Sequence, residues 1–459
     1  MTDKIQMPGK SSFSLDLTRR ELIKTSAMML AGGSLACSGC KRSEKQIGCL
    51  SAESPFPGVK GVRKVFESST LGGIPLANSI IRSATTMGLA DKAGRPTELL
   101  IRTHIELAQG GVGAIITGMA GIQKDGRIAV PDALMIHEDE AIPEYKKFAK
   151  AVHANNCPVI LQLAHAGRQT RTAVTGCQKV APSAVRHNYF SETIPKALTE
   201  LEIRQIVSNF ALAILRARKA GFDGAQLHAA HGYLLSDFLS SHTNQRTDQW
   251  GGSVENRFRI IREILKHAKA MVGNYPVLAK INAYDNRPNG MRLEEAIEIA
   301  RLLQEAGCAA IEVSCGTVED GFVTLRGPEI PVEAMLAHGF QLKDASPLVK
   351  KILGWVVPIL PKDDNIIENY NVCAAQEIKQ AVDIPIIVVG GIKKWEDIRQ
   401  IIEEQRADYV AMSRAFIIEP DIVNRFKYKR QASSSCISCC YCLVCAEALP
   451  VKCYYGSLS

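Results

Sequence analysis

Residues 384–391, Ile384-Pro385-Ile386-Ile387-Val388-Val389-Gly390-Gly391, decide the fold. The run is apolar on both strand faces, as a strand must be when helices cover it outside and a packed core fills it inside. Seven further runs share this character: Ser79–Thr85, Gly113–Met119, Pro158–Ala164, Asp223–Ala229, Pro276–Ala283, Ala309–Cys315 and Asp408–Arg414. Between them lie stretches of helical period. In Leu201–Ala220 the face is Ile203, Ile206, Val207, Phe210, Ile214 and Leu215, and Thr199 with Glu202 supplies a capping box. Leu293–Ala306 and Trp395–Gln405 behave likewise.

Alternating strands and helices imply a parallel sheet, and eight repeats are the number that closes it. The expected class is therefore α/β, a (β/α)8 TIM barrel spanning 60–430. An open doubly wound sheet is the runner-up, but no Gly-x-Gly-x-x-Gly follows the first strand. Residues 316–372 form an overlong connection after strand six, with the position of a lid or substrate wall and no readable pattern.

Composition bounds the function. The 459 residues are 46% hydrophobic and 22% charged, which excludes a disordered chain. The 55 Lys+Arg against 47 Asp+Glu leave a dilute +8, and aromatic residues make up only 6%. Base-stacking surfaces have little to be built from, so no nucleic-acid partner is expected.

Residues 1–50 read as a leader and linker rather than fold. Thr18-Arg19-Arg20 precedes the uncharged stretch Thr25–Cys40, which is too short to span a ~30 Å hydrocarbon core. The twin arginine resembles a Tat signal, which implies export of an already folded protein to the periplasm or a membrane anchor; a cytoplasmic location is the alternative. Cys37 and Cys40 sit in weak lipoprotein-like boxes, so the membrane would be met only through an N-terminal lipid.

Barrel enzymes place chemistry at the carboxyl ends of strands. After strands seven and eight stand Gly390, Gly391, Ser413 and Arg414, whose backbone amides and guanidinium form a phosphate site. Strand four ends His228-Ala229-Ala230-His231-Gly232-Tyr233. Two imidazoles and a phenol could bind metal, but no further ligand lies at metal spacing. They suit a carbonyl oxygen that gains charge, with the imidazoles donating hydrogen bonds and the tyrosine a proton.

From Leu76 to Tyr428 the chain resembles the old yellow enzymes, flavin-dependent barrels that reduce activated carbon–carbon double bonds. The stretches that carry the likeness are Leu161–Arg168 and the run from Gln226 through Asn244, Arg246-Thr247-Asp248, Gly251-Gly252-Ser253 and Glu255-Asn256-Arg257. The resemblance implies FMN as cofactor. It places Thr86 near the flavin N5 and O4, the Met119 backbone on the same ring, Gln162 on the pyrimidine edge, and Lys280 beside N1 and O2 where the family usually has arginine. It also implies hydride transfer to an electrophilic small-molecule alkene held by His228 and His231 and protonated by Tyr233, with NAD(P)H as donor. If the protein is exported, a redox protein would replace NAD(P)H. The alternative is an exported flavin-binding electron-transfer protein without turnover.

The last 24 residues hold six of the 14 cysteines. In this tail, 431–459, Cys436, Cys439, Cys442 and Cys453 resemble the iron–sulfur ligands of the dienoyl-CoA and enoate reductase branch, which implies a [4Fe-4S] cluster. Disulfides and zinc are the other readings, and Cys440 and Cys445 are extra to the set.

Overall fold

Parallel pairing joins the eight apolar runs in chain order and closes them into a barrel. The computed structural model describes residues 63–457, apart from 286, 320–326, 328–330, 340–341 and 357–367. The strands are β1 (Ile80–Arg82), β2 (Ala114–Ile116), β3 (Val159–Ala164), β4 (Gly224–Ala229), β5 (Val277–Asn282), β6 (Ile311–Ser314), β7 (Ile386–Val389) and β8 (Tyr409–Met412). Each pairs with its successor, and Val410 opposite Ile80 brings β8 back to β1. The (β/α)8 expectation is correct, and the open sheet is excluded.

Side-chain parity divides the strands into two cores. Ile80, Ile115, Leu161, Ala279, Ile311, Val388 and Val410 face outward into the main cluster beneath the helices. Their neighbours Ile81, Ile116, Ile160, Leu278, Ala310, Ile387 and Tyr409 meet inside the barrel. Period-two geometry makes this division automatic once the register is fixed. It also means that a polar residue two places beyond an inward apolar one must point into the barrel.

The helices cover the outer face. They include α1 (Glu98–Gln109), α2 (Ile142–His153), α3 (Glu200–Lys219), α4 (Val254–Val272), α5 (Leu293–Glu305), α6 (Val372–Lys379) and α7 (Trp395–Glu403). The capping box of α3 is present: the Glu202 amide donates to the Thr199 hydroxyl at 3.3 Å and the Thr199 amide to the Glu202 carboxylate at 2.9 Å. The face read from its sequence is the buried one, with Ile203, Phe210 and Ile214 at 0% exposure.

Two features depart from the sequence reading. A hairpin, Ser69–Leu71 paired with Ile74–Leu76, sends Leu71, Ile74 and Leu76 into the inner core and plugs the amino-terminal end of the barrel. Its Gly72-Gly73 turn has positive φ at both positions, and a Cβ on Gly72 would lie 2.5 Å from the Ala309 carbonyl oxygen. The connection after β6, in which no pattern was legible, contains helices Val332–Ala337 and Pro347–Val356, the second starting on a proline suited to a first helical turn. The leader of residues 1–50 lies outside the described residues.

Replacing Thr199 with alanine removes one half of the α3 cap. The expected loss is ~1 kcal/mol, read as a lowered urea midpoint, and an unchanged midpoint would show that the cap contributes nothing.

Candidate active site

Above the inner apolar layer the inward positions turn polar. Ser83, Gln162, Gln226, Lys280 and Glu312 are all at most 3% exposed. The register sets Gln162 beside Gln226 and Lys280 beside both His228 and Glu312. Gln162 Nε2 donates to Gln226 Oε1 at 2.7 Å, and Gln226 Nε2 donates to Glu312 Oε2 at 2.8 Å. On the other carboxylate oxygen Glu312 accepts from Ser83 Oγ at 2.6 Å and pairs with Lys280 Nζ at 3.1 Å. Burial of so many polar groups is tolerable because they satisfy one another.

The next level up holds the histidine pair. The rings of His228 and His231 lie 5.1 Å apart and nearly perpendicular, and the Tyr233 ring is 4.8 Å from His228. His231 has a left-handed backbone, φ 64°, costing an imidazole-bearing residue about 1 kcal/mol. Its amide donates to Asn282 Oδ1 at 3.1 Å, and its Nε2 lies 2.7 Å from the Ser314 hydroxyl. Asn282 and Ser314 are themselves register partners on β5 and β6. The strained turn is thus anchored by two adjacent strand ends.

Burial, reinforced by the other imidazole and Lys280, holds His228 well below its ordinary pKa; burial, then Lys280, brings His231 to about 3. Burial raises the Tyr233 phenol to about 12. At neutral pH both imidazoles are therefore uncharged and the phenol keeps its proton. His228 Nδ1 is buried with no hydrogen-bond partner among the described residues, as is Thr86 Oγ1.

Arg168, the last residue of the Leu161–Arg168 stretch, explains how Tyr233 is placed. Its guanidinium binds Asp237 at 3.1 Å and also pairs with Glu319. Asp237 lies in the short helix Leu234–Leu239 that starts right after Tyr233, and the Leu234 amide donates to the His165 carbonyl oxygen at 3.0 Å. The loops after β3 and β4 are locked together. Met119 and Tyr233 pack against the same small cluster of Ile128, Ala133 and Ala166.

Thr86 and Met119 also converge: with Thr85, Gly118, Asp132 and Leu134 they line a small pocket at the strand ends. Gly118 permits that approach, since a Cβ there would stand 2.7 Å from the Thr85 carbonyl oxygen. Gly390 and Gly391 end β7, both with positive φ, beside Ser413 and Arg414 after β8. The helix that Arg414 opens, Arg414–Ile418, has only five residues, so anion binding there rests on amides and guanidinium more than on a helix dipole. The donor set suits FMN in kind: Gln162 and Lys280 as donors and acceptor, two orphaned polar atoms at Thr86 and His228, and glycines at the ends of the strands.

The tail folds back on this end of the barrel. The Val451 amide donates to the Met87 carbonyl oxygen at 2.8 Å, and Glu419 accepts from the Ser435 hydroxyl at 2.8 Å. Arg414 Nη1 lies 3.5 Å from Cys440 Sγ. All six tail cysteines are free thiols. For Cys436, Cys439, Cys442 and Cys453, expected to hold a cluster, the structure shows no assembled site: among the described residues no three His, Cys, Asp or Glu side chains gather as metal ligands.

Sequence reasoning missed Glu312, Gln226, Ser83, Asn282 and Ser314. Each interrupts an apolar run at inward parity, a signal that was available.

The neutral histidines make stability depend on pH. Below about 6.5 the unfolded chain takes up protons that folded His231 refuses until about pH 3 and folded His228, also held well below its ordinary value, refuses as well, so stability falls as pH drops below 6.5. Between pH 7 and 5 the unfolding free energy of the wild type, from urea titration, should fall by roughly 2 kcal/mol more than that of His231→Asn. Equal losses would mean that His231 is charged in the folded state.

Comparison with known proteins agrees with this geometry. The sequence pattern of the NADH:flavin oxidoreductase / NADH oxidase family matches residues 64–320 and 333–433. An NADH oxidase from Thermoanaerobacter brockii is 34% identical over 378 residues, covering 82% of this chain and 52% of that enzyme, so the chain spans about half the length of this relative. An NADPH dehydrogenase from Listeria welshimeri is 31% identical over 358 residues, covering 78% of this chain and 92% of the relative. Among solved structures, the old yellow enzyme homologue from Zymomonas mobilis superposes with a TM-score of 0.64 at 25% identity, over 82% of this chain and 96% of that one. The match to the family pattern across most of the barrel shows that this chain belongs to the NADH:flavin oxidoreductase / NADH oxidase family.

Proposed function

We propose that the protein is an FMN-dependent reductase of electron-poor alkenes, enones or enoates. The observation that carries this reading is the His228–His231 pair with its rings 5.1 Å apart and the Tyr233 ring 4.8 Å from His228, buried above the inward polar layer, where burial disfavours charge on all three. Thr86, the Met119 backbone, Gln162 and Lys280 would hold the isoalloxazine, and Gly390, Gly391, Ser413 and Arg414 its phosphate. Bound FMN would supply the hydride that reduces the alkene.

The chain's own residues do the rest. Neutral imidazoles donate hydrogen bonds without bringing a full charge, so they stabilise a carbonyl oxygen more as it gains negative charge than in the ground state. His231 is held for this by Asn282 and Ser314. The phenol of Tyr233, still protonated at neutral pH, delivers a proton to the α carbon. Arg168, through Asp237, keeps that phenol facing the pair. No step passes through an iron–sulfur group.

The reading divides the chain into a leader at 1–50, the barrel at 60–430 and the tail at 431–459. NAD(P)H is the proposed electron donor, in keeping with the NADPH dehydrogenases among the relatives. Export by the twin-arginine route rests on Arg19-Arg20 and the uncharged stretch after them.

Purified protein should be yellow, release FMN on denaturation, and after anaerobic reduction be reoxidised by an α,β-unsaturated ketone. Tyr233→Phe should slow that reoxidation by about 100-fold with flavin content unchanged. His228→Asn should weaken enone and phenol binding. Loss of flavin from either variant, or a reduced flavin that no enone or enoate reoxidises, would contradict the assignment.

A further inference from the structure

The Lys280 ammonium has three donors and finds two protein acceptors among the described residues, Ser83 Oγ at 3.0 Å and Glu312 Oε1 at 3.1 Å. Glu312 is more heavily committed. It is 0% exposed, and both its oxygens are engaged, by Ser83 and Lys280 on one and by Gln226 on the other. Lysine is a point charge on a four-carbon stem, free to sweep unless something fixes it. Here Glu312 and the Ser83 hydroxyl, which accepts from Lys280 and donates to Glu312, fix it on the inner wall of the barrel. The third donor is left for a ligand above. The adjacent Gln162 lies in the same hydrogen-bonded chain through Gln226.

We infer that Glu312 is a positioning residue that fixes the Lys280 ammonium against the flavin and, by its own charge, sets the flavin's reduction equilibrium. This rests on the flavin reading of the site. Two-electron reduction with one proton, FMN + 2 e⁻ + H⁺ → FMNH⁻, adds one negative charge to the isoalloxazine. Lys280 favours that charge and Glu312 opposes it, and the ion pair leaves no net charge facing the ring. His228, the other titratable neighbour of Lys280 across the register, is uncharged and leaves the sum unaltered. Glu312 thus determines how strongly a site containing a buried cation pulls electrons onto the flavin.

The test is the flavin's equilibrium with a reference dye during anaerobic dithionite titration of the holoprotein. FMN content is measured first: wild-type protein without flavin defeats the flavin reading itself. Given bound flavin, Glu312→Gln leaves a net positive charge and should shift the equilibrium at least tenfold toward the reduced form, ~30 mV upward for a two-electron couple. Lys280→Met leaves the carboxylate alone and should shift it at least tenfold the other way. The double variant restores zero net charge and should return to within about threefold of wild type, ~15 mV. An unchanged or lowered potential in Glu312→Gln with flavin bound overturns the inference. If that variant cannot be isolated with flavin, Lys280→Met decides, and a potential equal to wild type overturns it.

Discussion

The structure depends on one constraint, the two-residue alternation of side chains on eight closed parallel strands. It sends Ile81, Ile160, Leu278 and Ala310 inward as an apolar floor and, two residues later on the same strands, Ser83, Gln162, Lys280 and Glu312 inward as a polar layer. Further along, Asn282 and Ser314 follow on β5 and β6 to receive His231. One geometric rule therefore builds the apolar core, the polar layer above it and the anchors of the histidine turn in successive layers. A register slip of one residue would exchange every inward group for an outward apolar one.

The polar layer survives inside a protein because it is closed on itself. Glu312 binds Lys280, Ser83 and Gln226, and Gln226 binds Gln162, while His228 Nδ1 and Thr86 Oγ1, nearer the mouth, are among the buried atoms that find no partner among the described residues. Buried polar networks are stable when complete and costly when partial. Leaving the unpaired atoms at the mouth concentrates the unmet hydrogen bonding where a ligand can meet it. The same low polarity keeps both imidazoles neutral, and that neutrality gives the site hydrogen-bond donors without a standing charge.

Much of this was legible in the sequence. All eight strand runs, the face and cap of α3, and the His228–Tyr233 constellation follow from apolar continuity, 3.6-residue periodicity and position at a strand end. Glu312 and Gln226 escaped because a single polar residue in an apolar strand has no spacing pattern of its own; its meaning comes from neighbours that only the closed register supplies. The hairpin at 69–76 was passed over although Gly72-Gly73 marked it. The helix at Pro347–Val356 was hidden because its exposed Leu348, Ile352 and Trp355 make both faces apolar. The tail's cysteine spacing suggested a ligand set, but spacing along a chain does not fix where thiols point; Cys440, outside that set, turns toward Arg414.

The central claim is that the flavin lies on the inward polar layer, with its pyrimidine edge against Gln162 and Lys280 and its reactive face toward His228, His231 and Tyr233. The most direct measurement is an experimental structure of the protein with FMN bound. The account predicts Gln162 and Lys280 within hydrogen-bonding distance of the ring and the phosphate at Gly390, Gly391 and Arg414. A ring bound elsewhere, or a barrel mouth filled by side chains with the phosphate distant from Arg414, would contradict it.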